Sequence, residues 1–289
     1  MTRIEPVAGN RALVAESPTW DDRDNTLLWV DILRGEVHRF DPAGDRDRVV
    51  ARLPVPVGSV VVRRSPGLVV AAGMGFAVLD ESSGELSWLA TVDRGDRMND
   101  ARCDPEGRLW GGTLTVAQRP GASGLYRLDP DHRLTTVLDD VALSNGLGWS
   151  PDGSRMYYAD TVTERVDVFD YDLATGAASG RRTFVDLHEH PGRPDGLAVD
   201  AEGGVWVAMA RGAAVRRFDP AGRLDEVLDM PTPGVTSCAF GGDGLGDLYV
   251  TTMCVGLSEA DLVRYPQAGA VLRISDLGVS GLPAPRFAG

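Results

Sequence analysis

The chain contains no lysine; all 29 of its basic residues are arginine. That removes Schiff-base chemistry and any phosphate-binding loop built on a lysine. Cysteine is sparse, with Cys103, Cys238 and Cys254 in 289 residues. An odd set cannot all pair, and none stands in a Cys-x-x-Cys spacing, so reduced core thiols are expected. Histidine is limited to His38, His132, His188 and His190. The last two flank Glu189 beside Pro191 and Gly192, which reads as a solvated loop rather than a zinc pair. No apolar run nears the length of a membrane span, and no basic stretch followed by an apolar run stands at the N-terminus; the expected location is the cytoplasm. Low-complexity segments are absent. The net charge is −13 and the pI about 4.7, which argues against nucleic acid or an anionic membrane as partner, since each needs a cationic face. Divalent cations suit such a chain better.

What is present is a repeat. Six times a short apolar stretch opens on a polar residue, and the six leading residues are Glu16, Ser59, Asn99, Asn145, Asp195 and Thr236. Each stretch runs into a turn, clearest at Asp104-Pro105-Glu106-Gly107, Ser150-Pro151-Asp152-Gly153 and Asp200-Ala201-Glu202-Gly203. Proline presets φ and glycine relieves the closing residue, as a tight hairpin needs. Second runs rich in β-branched and aromatic residues follow at 27–30, 68–70, 109–110, 156–158, 205–207 and 248–250. Such residues favour strands over helices. Third runs at 37–40, 76–79, 125–128, 166–169, 215–218 and 271–274 are each followed directly by aspartate except the last, where Asp276 comes one residue later, and a more polar fourth segment closes five copies.

Four strands per copy at a period of about 40 to 50 residues is the arithmetic of a propeller blade. The predicted fold is therefore all-β: one six-bladed β-propeller domain over residues 1–289. The sixth copy has no fourth strand of its own before the Gly/Pro-rich tail at 278–289, so residues 3–7 are expected to supply it and close the ring. Closure leaves no open edge, and a monomer is expected. A β-sandwich would not require one polar residue in phase in every repeat.

In a circular repeat, residues of one phase face one axis. Glu16, Asn145 and Asp195 are hard oxygen donors with two negative charges between them, a set that favours calcium, magnesium or manganese over zinc or copper. Asn99 is a fourth candidate. Ser59 and Thr236 are weaker donors that can simply line the bore. Two carboxylates held close without a cation would repel, and one would stay protonated. No histidine shares the leading phase, which speaks against a thiol nucleophile.

The segments Glu16-Ser17-Pro18-Thr19-Trp20, Arg97-Met98-Asn99-Asp100, Ser144-Asn145-Gly146-Leu147-Gly148-Trp149 and Pro194-Asp195-Gly196-Leu197-Ala198, in this order and spacing, resemble signature segments of the regucalcin and gluconolactonase family. The resemblance spans essentially the whole chain. It implies a six-bladed propeller that binds one divalent cation and hydrolyses sugar lactones. It further implies Glu16, Asn145 and Asp195 as metal ligands, Asp195 also as general base, and Arg97 and Asn99 as substrate contacts. Calcium is the first choice of cation, with zinc, manganese or magnesium as alternatives. Animal members carry a glutamate in the loop that corresponds to 114–123, whereas here that loop is shorter, has no acidic residue and presents Gln118 and Arg119. Its sugar preference is therefore expected to differ.

The expected activity is hydrolysis of a small sugar or hydroxy-acid lactone, with a cation-polarised carbonyl and a water activated by Asp195. Two other readings stand beside it: a phosphotriesterase or arylesterase, and a calcium-binding or regulatory propeller without catalysis. Arg97 also fits a surface arginine of the 93–96 loop.

Overall fold

In a computed structural model, which describes residues 2–7, 9 and 11–289, the chain forms six four-stranded antiparallel sheets arranged as the blades of a β-propeller. The innermost strands of blades one to six are Ala15–Asp21, Val57–Val62, Arg97–Cys103, Ser144–Trp149, Arg193–Val199 and Val235–Gly241. Each pairs outward through three successive hairpin partners, except in blade six. There the outermost strand is Arg3–Val7, which pairs antiparallel with Val271–Ser275 from Arg3 opposite Ser275 to Val7 opposite Val271. The strand expected to join the ends of the ring does so.

The physics is that of stacked sheets. Inner and second strands are buried on both faces, as in Thr26–Asp31 and Leu109–Leu114. Outermost strands such as Leu86–Thr91 and Leu224–Asp229 alternate toward solvent. Apolar clusters bridge neighbouring blades: Val30, Val37 and Leu53 of blade one pack with Val60, Val70 and Leu79 of blade two. Removing this apolar area from water is what sets the blades against one another.

The turn aspartates do more than start turns. Asp200 has no exposed surface. Its Oδ1 accepts from the Glu202 and Gly204 amides at 2.9 and 2.8 Å, and its Oδ2 from Trp206 Nε1 at 2.8 Å and Arg217 Nε at 2.7 Å. Asp104 repeats the pattern in blade three with Glu106, Arg108 and Trp110. A buried carboxylate saturated by donors in this way locks the hairpin to the sheet behind it.

Cys103 and Cys238 are buried free thiols and Cys254 is half-buried. His188 is exposed and bonds Asp186 at 2.7 Å, in keeping with a solvated loop. Among the described residues, no helix is long and apolar enough to cross a membrane. The tail returns across the lower face of the ring. Ala201 and Gly281 hold its near end through Ala201 N to Ser280 O and Gly281 N to Leu245 O, both 2.9 Å. Phe287, fully buried, pins the far end through Phe287 N to Val62 O at 2.9 Å.

Candidate metal centre and active site

The start of each inner strand is irregular, and in blade one the break comes just after Glu16, which pairs with Val30, and holds Ser17 and Pro18. In blade three Met98 pairs with Thr113 and regular pairing resumes only at Ala101 and Gly111, which places Asn99 and Asp100 in a bulge. Asn145 and Gly146 lie in the corresponding gap of blade four, and Asp195 and Gly196 in that of blade five. Bulges of this kind re-aim a side chain away from the sheet, here toward the axis. Thr236 occupies the same step in blade six, between Val235 opposite Thr252 and Ser237 opposite Thr251.

Blade two departs from the expectation. Val57 pairs with Ala72 and Ser59 with Ala71, so the bulged residue is Gly58 and Ser59 stands one position further on. The Ser59 hydroxyl is turned to blade three, donating to Asn99 O at 3.1 Å and accepting from Ala101 N at 2.8 Å. Gly58 is required by contact: a Cβ there would lie 2.4 Å from Asn99 O. Ser59 is thus a strut between blades rather than a member of the axial set.

A line of hydrogen bonds joins blades three, four and five. Arg97 Nη1 donates to Asn99 Oδ1 and to Met98 O, both at 2.8 Å. Asn99 Nδ2 donates to Ser144 O at 2.8 Å and to Asn145 Oδ1 at 2.9 Å. Asn145 Nδ2 donates in turn to Thr161 Oγ1 at 2.7 Å, and Thr161 Oγ1 to Pro194 O at 2.8 Å. Because Arg97 takes the Asn99 oxygen, the Asn99 amide nitrogen must face Asn145, and both amides are held in one orientation. Arg97 is half-buried and joined to Asn99, which favours the site over the surface reading.

The carboxylates complete the group. Glu16 is 5% exposed and accepts from the Ser17 amide at 2.8 Å. Burial, then the charge of Asp100, pushes its carboxyl up to about 8, against the pull of the Ser17 amide, Arg102 and Arg97. Asp195 is raised well above the usual carboxylate range, first by burial and then by the charges of Glu16 and Asp100, with Arg97 opposing. Ionised together, Glu16, Asp100 and Asp195 would set three negative charges against the two of Arg97 and Arg102, and their raised carboxyls show the group holding on to protons instead. Such an excess in a desolvated space is the electrostatic demand that a cation meets.

The donor set fits a hard divalent ion. Two carboxylates and a fixed amide oxygen are oxygen ligands of the calcium and magnesium type. Among the described residues, no three His, Cys, Asp or Glu side chains form a group that could hold a metal ion, so the set depends on the amide. Neither imidazole nor thiolate joins it, which disfavours zinc.

Three residues of the centre escape the repeat reading. Thr161 orients Asn145 from a 3₁₀ turn, Thr161–Thr163, that Asp160 caps. Asp100 and Arg102 are charges out of pattern. At the Asp100 step the other blades carry Ser17, Ser59, Gly146, Gly196 and Ser237, and at the Arg102 step only small or uncharged residues. Writing the six inner strands in register would have exposed both. In the 114–123 loop, Gln118 and Arg119 are exposed.

A closed ring of six blades with one axial group of hard donors defines a propeller built around a single polar centre. The profile of the SMP-30/Gluconolactonase/LRE-like region matches residues 14–254, and the chain belongs to that family. Regucalcin of Xenopus laevis is 40% identical over 296 residues, covering 99% of this chain and 99% of its own. A solved luciferin-regenerating enzyme superimposes with a TM-score of 0.92 at 31% identity over 100% of both chains. A calcium-binding protein described as regucalcin from Agrobacterium tumefaciens does so with a TM-score of 0.93 at 28% identity, over 98% of this chain and 97% of its own.

Proposed function

We propose that the protein is a lactonase, dependent on a divalent cation, that opens small sugar or hydroxy-acid lactones. The observation that carries this reading is the meeting of Glu16, Asn145 and Asp195 beside the Arg97–Asn99 pair at one end of the bore. Family membership supports it. Glu16, Asn145 and Asp195 are the residues that would hold the ion, whose chemistry there is to polarise the lactone carbonyl and to stabilise the oxyanion. Calcium is the favoured ion on donor type, and the description of the Agrobacterium relative as calcium-binding agrees.

The remaining steps belong to side chains. Arg97, with Nη1 committed to Asn99, offers its other N–H groups to ring hydroxyls, and Asn99 presents a rigid amide beside them. Such positioning holds the ester within attack distance. Water attacks the carbonyl carbon as Asp195 takes its proton. The ring C–O bond then breaks, the leaving oxygen recovers the proton, and an open-chain hydroxy acid is released. A cytoplasmic monomer is the state we propose for the working enzyme.

The test follows acid release from gluconolactone by chelated protein, before and after addition of calcium, manganese or zinc, with Asp195→Asn alongside. Cation-restored turnover that Asp195→Asn loses while remaining folded supports the reading, and full turnover by Asp195→Asn rejects the base. The name of the calcium-binding relative favours a second reading, a non-catalytic calcium-binding propeller. It requires cation affinity with no turnover of any lactone, aryl ester or paraoxon.

A further inference from the structure

The bore does not run open from the carboxylates to the lower face. Arg102 reaches across it from blade three to blade six, where Nη2 donates to Cys238 O at 2.9 Å. Below this crossbar lies a second chamber of about 410 Å³, within the range of about 300–1,000 Å³ typical of small-molecule sites. Its walls are apolar and aromatic, with Trp20, Trp149, Leu147, Leu197 and Phe240. The exposed Pro105 and Pro151 of two turns, with Pro283 and Pro285 of the tail, rim its mouth. It is a different space from the Glu16, Asn145 and Asp195 centre, none of which lines it.

The polar groups of this chamber share one character. Arg102 Nε and Trp149 Nε1 are both buried and neither has a hydrogen-bond partner. Arginine and tryptophan side chains donate only. The hydroxyls on the wall are already committed: Thr19 Oγ1 donates to Val60 O at 3.0 Å and Ser150 Oγ to Asp152 Oδ1 at 2.6 Å. Arg102 shares its charge with Asp100 and Glu16 above, but its Nε and the Trp149 Nε1 remain two donors without an acceptor in an apolar enclosure, a demand met by a ligand that joins acceptor oxygens to apolar surface.

We propose that the lower chamber is a second ligand site, which takes a small monocarboxylate with an aromatic or branched apolar body, held by Arg102 and Trp149 through its carboxylate and by Trp20, Leu197 and Phe240 through its body. A sugar lactone, polar on every face, does not match these walls, so the chamber is a binding site separate from the proposed chemistry.

Phenylacetate is the probe, followed by calorimetry and by the fluorescence of the lining tryptophans. Saturable binding is expected, with phenylacetamide and acetate each weaker by about tenfold or more. Phenylacetamide keeps the ring without the charge, and acetate keeps the charge without the ring. Ala239→Leu, which fills the chamber from its wall, should abolish binding, while Asp195→Asn at the upper centre should retain it. Arg102→Gln should erase the preference for acid over amide. If that variant does not fold, the acid-to-amide ratio of the unaltered protein and Ala239→Leu decide. Absence of saturable binding, equal affinity for acid and amide, equal affinity for acetate, or binding that survives Ala239→Leu would overturn the proposal.

Discussion

Asn99 Nδ2 lies 2.9 Å from Asn145 Oδ1, joining the third and fourth blades at the mouth of the bore. The bond exists because Arg97 claims the other end of the Asn99 amide. Asn99→Asp replaces that donor with a second acceptor facing the Asn145 oxygen. Partners that orient a ligand typically change metal affinity or activity by roughly 10- to 100-fold when removed. A loss of this size in calcium affinity by calorimetry, with an unchanged circular dichroism spectrum, is the expected result.

Glu16 makes the chelated protein sensitive to alkali. Its carboxyl rises from 4.5 to about 8 in the native state, with burial the first cause and Asp100 the second. Between those values the folded chain holds a proton that the unfolded chain has released, so stability falls as pH rises across the window. Thermal unfolding of chelated protein should show Tm dropping from about pH 4.5 toward pH 8, a slope that Glu16→Gln flattens. Cation binding at neutral pH should release protons, seen as a dependence of the binding heat on buffer.

Gly58 sets the spacing of two inner strands. Because a Cβ would fall 2.4 Å from Asn99 O and 2.8 Å from Asn99 Cα, Gly58→Ala must push the blade-three bulge aside. Overpacking of this kind costs about 1–3 kcal/mol. Chemical denaturation should register that loss, and lactone turnover should fall with it because Asn99 moves.

Asp200 binds four donors without exposed surface, one of them the Arg217 guanidinium. Asp200→Ala strands the Trp206 indole N–H and the Glu202 and Gly204 amides, while Arg217 keeps Asp225 and Glu202 as partners. Leaving a buried donor unsatisfied costs about 1–3 kcal/mol, and a lowered denaturation midpoint with an unchanged m-value would confirm it.

The thiols should be silent in the native state. Burial raises Cys103 above the usual thiol range and pushes Cys238 up to about 12. Titration with a chromogenic disulfide reagent near pH 8 should find at most Cys254, and all three cysteines after denaturation.

Much of this architecture was legible because blades repeat. Turns such as Asp200–Gly203 and the runs after them are local signals, and six copies corroborate one another. The edge strand Arg3–Val7 was legible by default, since blade six lacked a fourth strand. Blade two was misread at one position because Ser59 is the nearest polar residue, whereas the bulge falls on Gly58. Contacts such as Arg102 to Cys238, which lie 136 residues apart, have no local signature. Nor does Thr161, whose role depends on Asp160 turning the chain after the second strand of blade four.

The pairing of Arg3–Val7 with Val271–Ser275 makes the ring a bracelet with a five-rung clasp. The two strands meet with Arg3 beside Ser275, so traction on the chain ends, once the tail has peeled from the lower face, would undo the rungs one after another instead of shearing them together. Severing another blade's outer hairpin and splicing the native ends would relocate that weak seam without altering any neighbour in the ring.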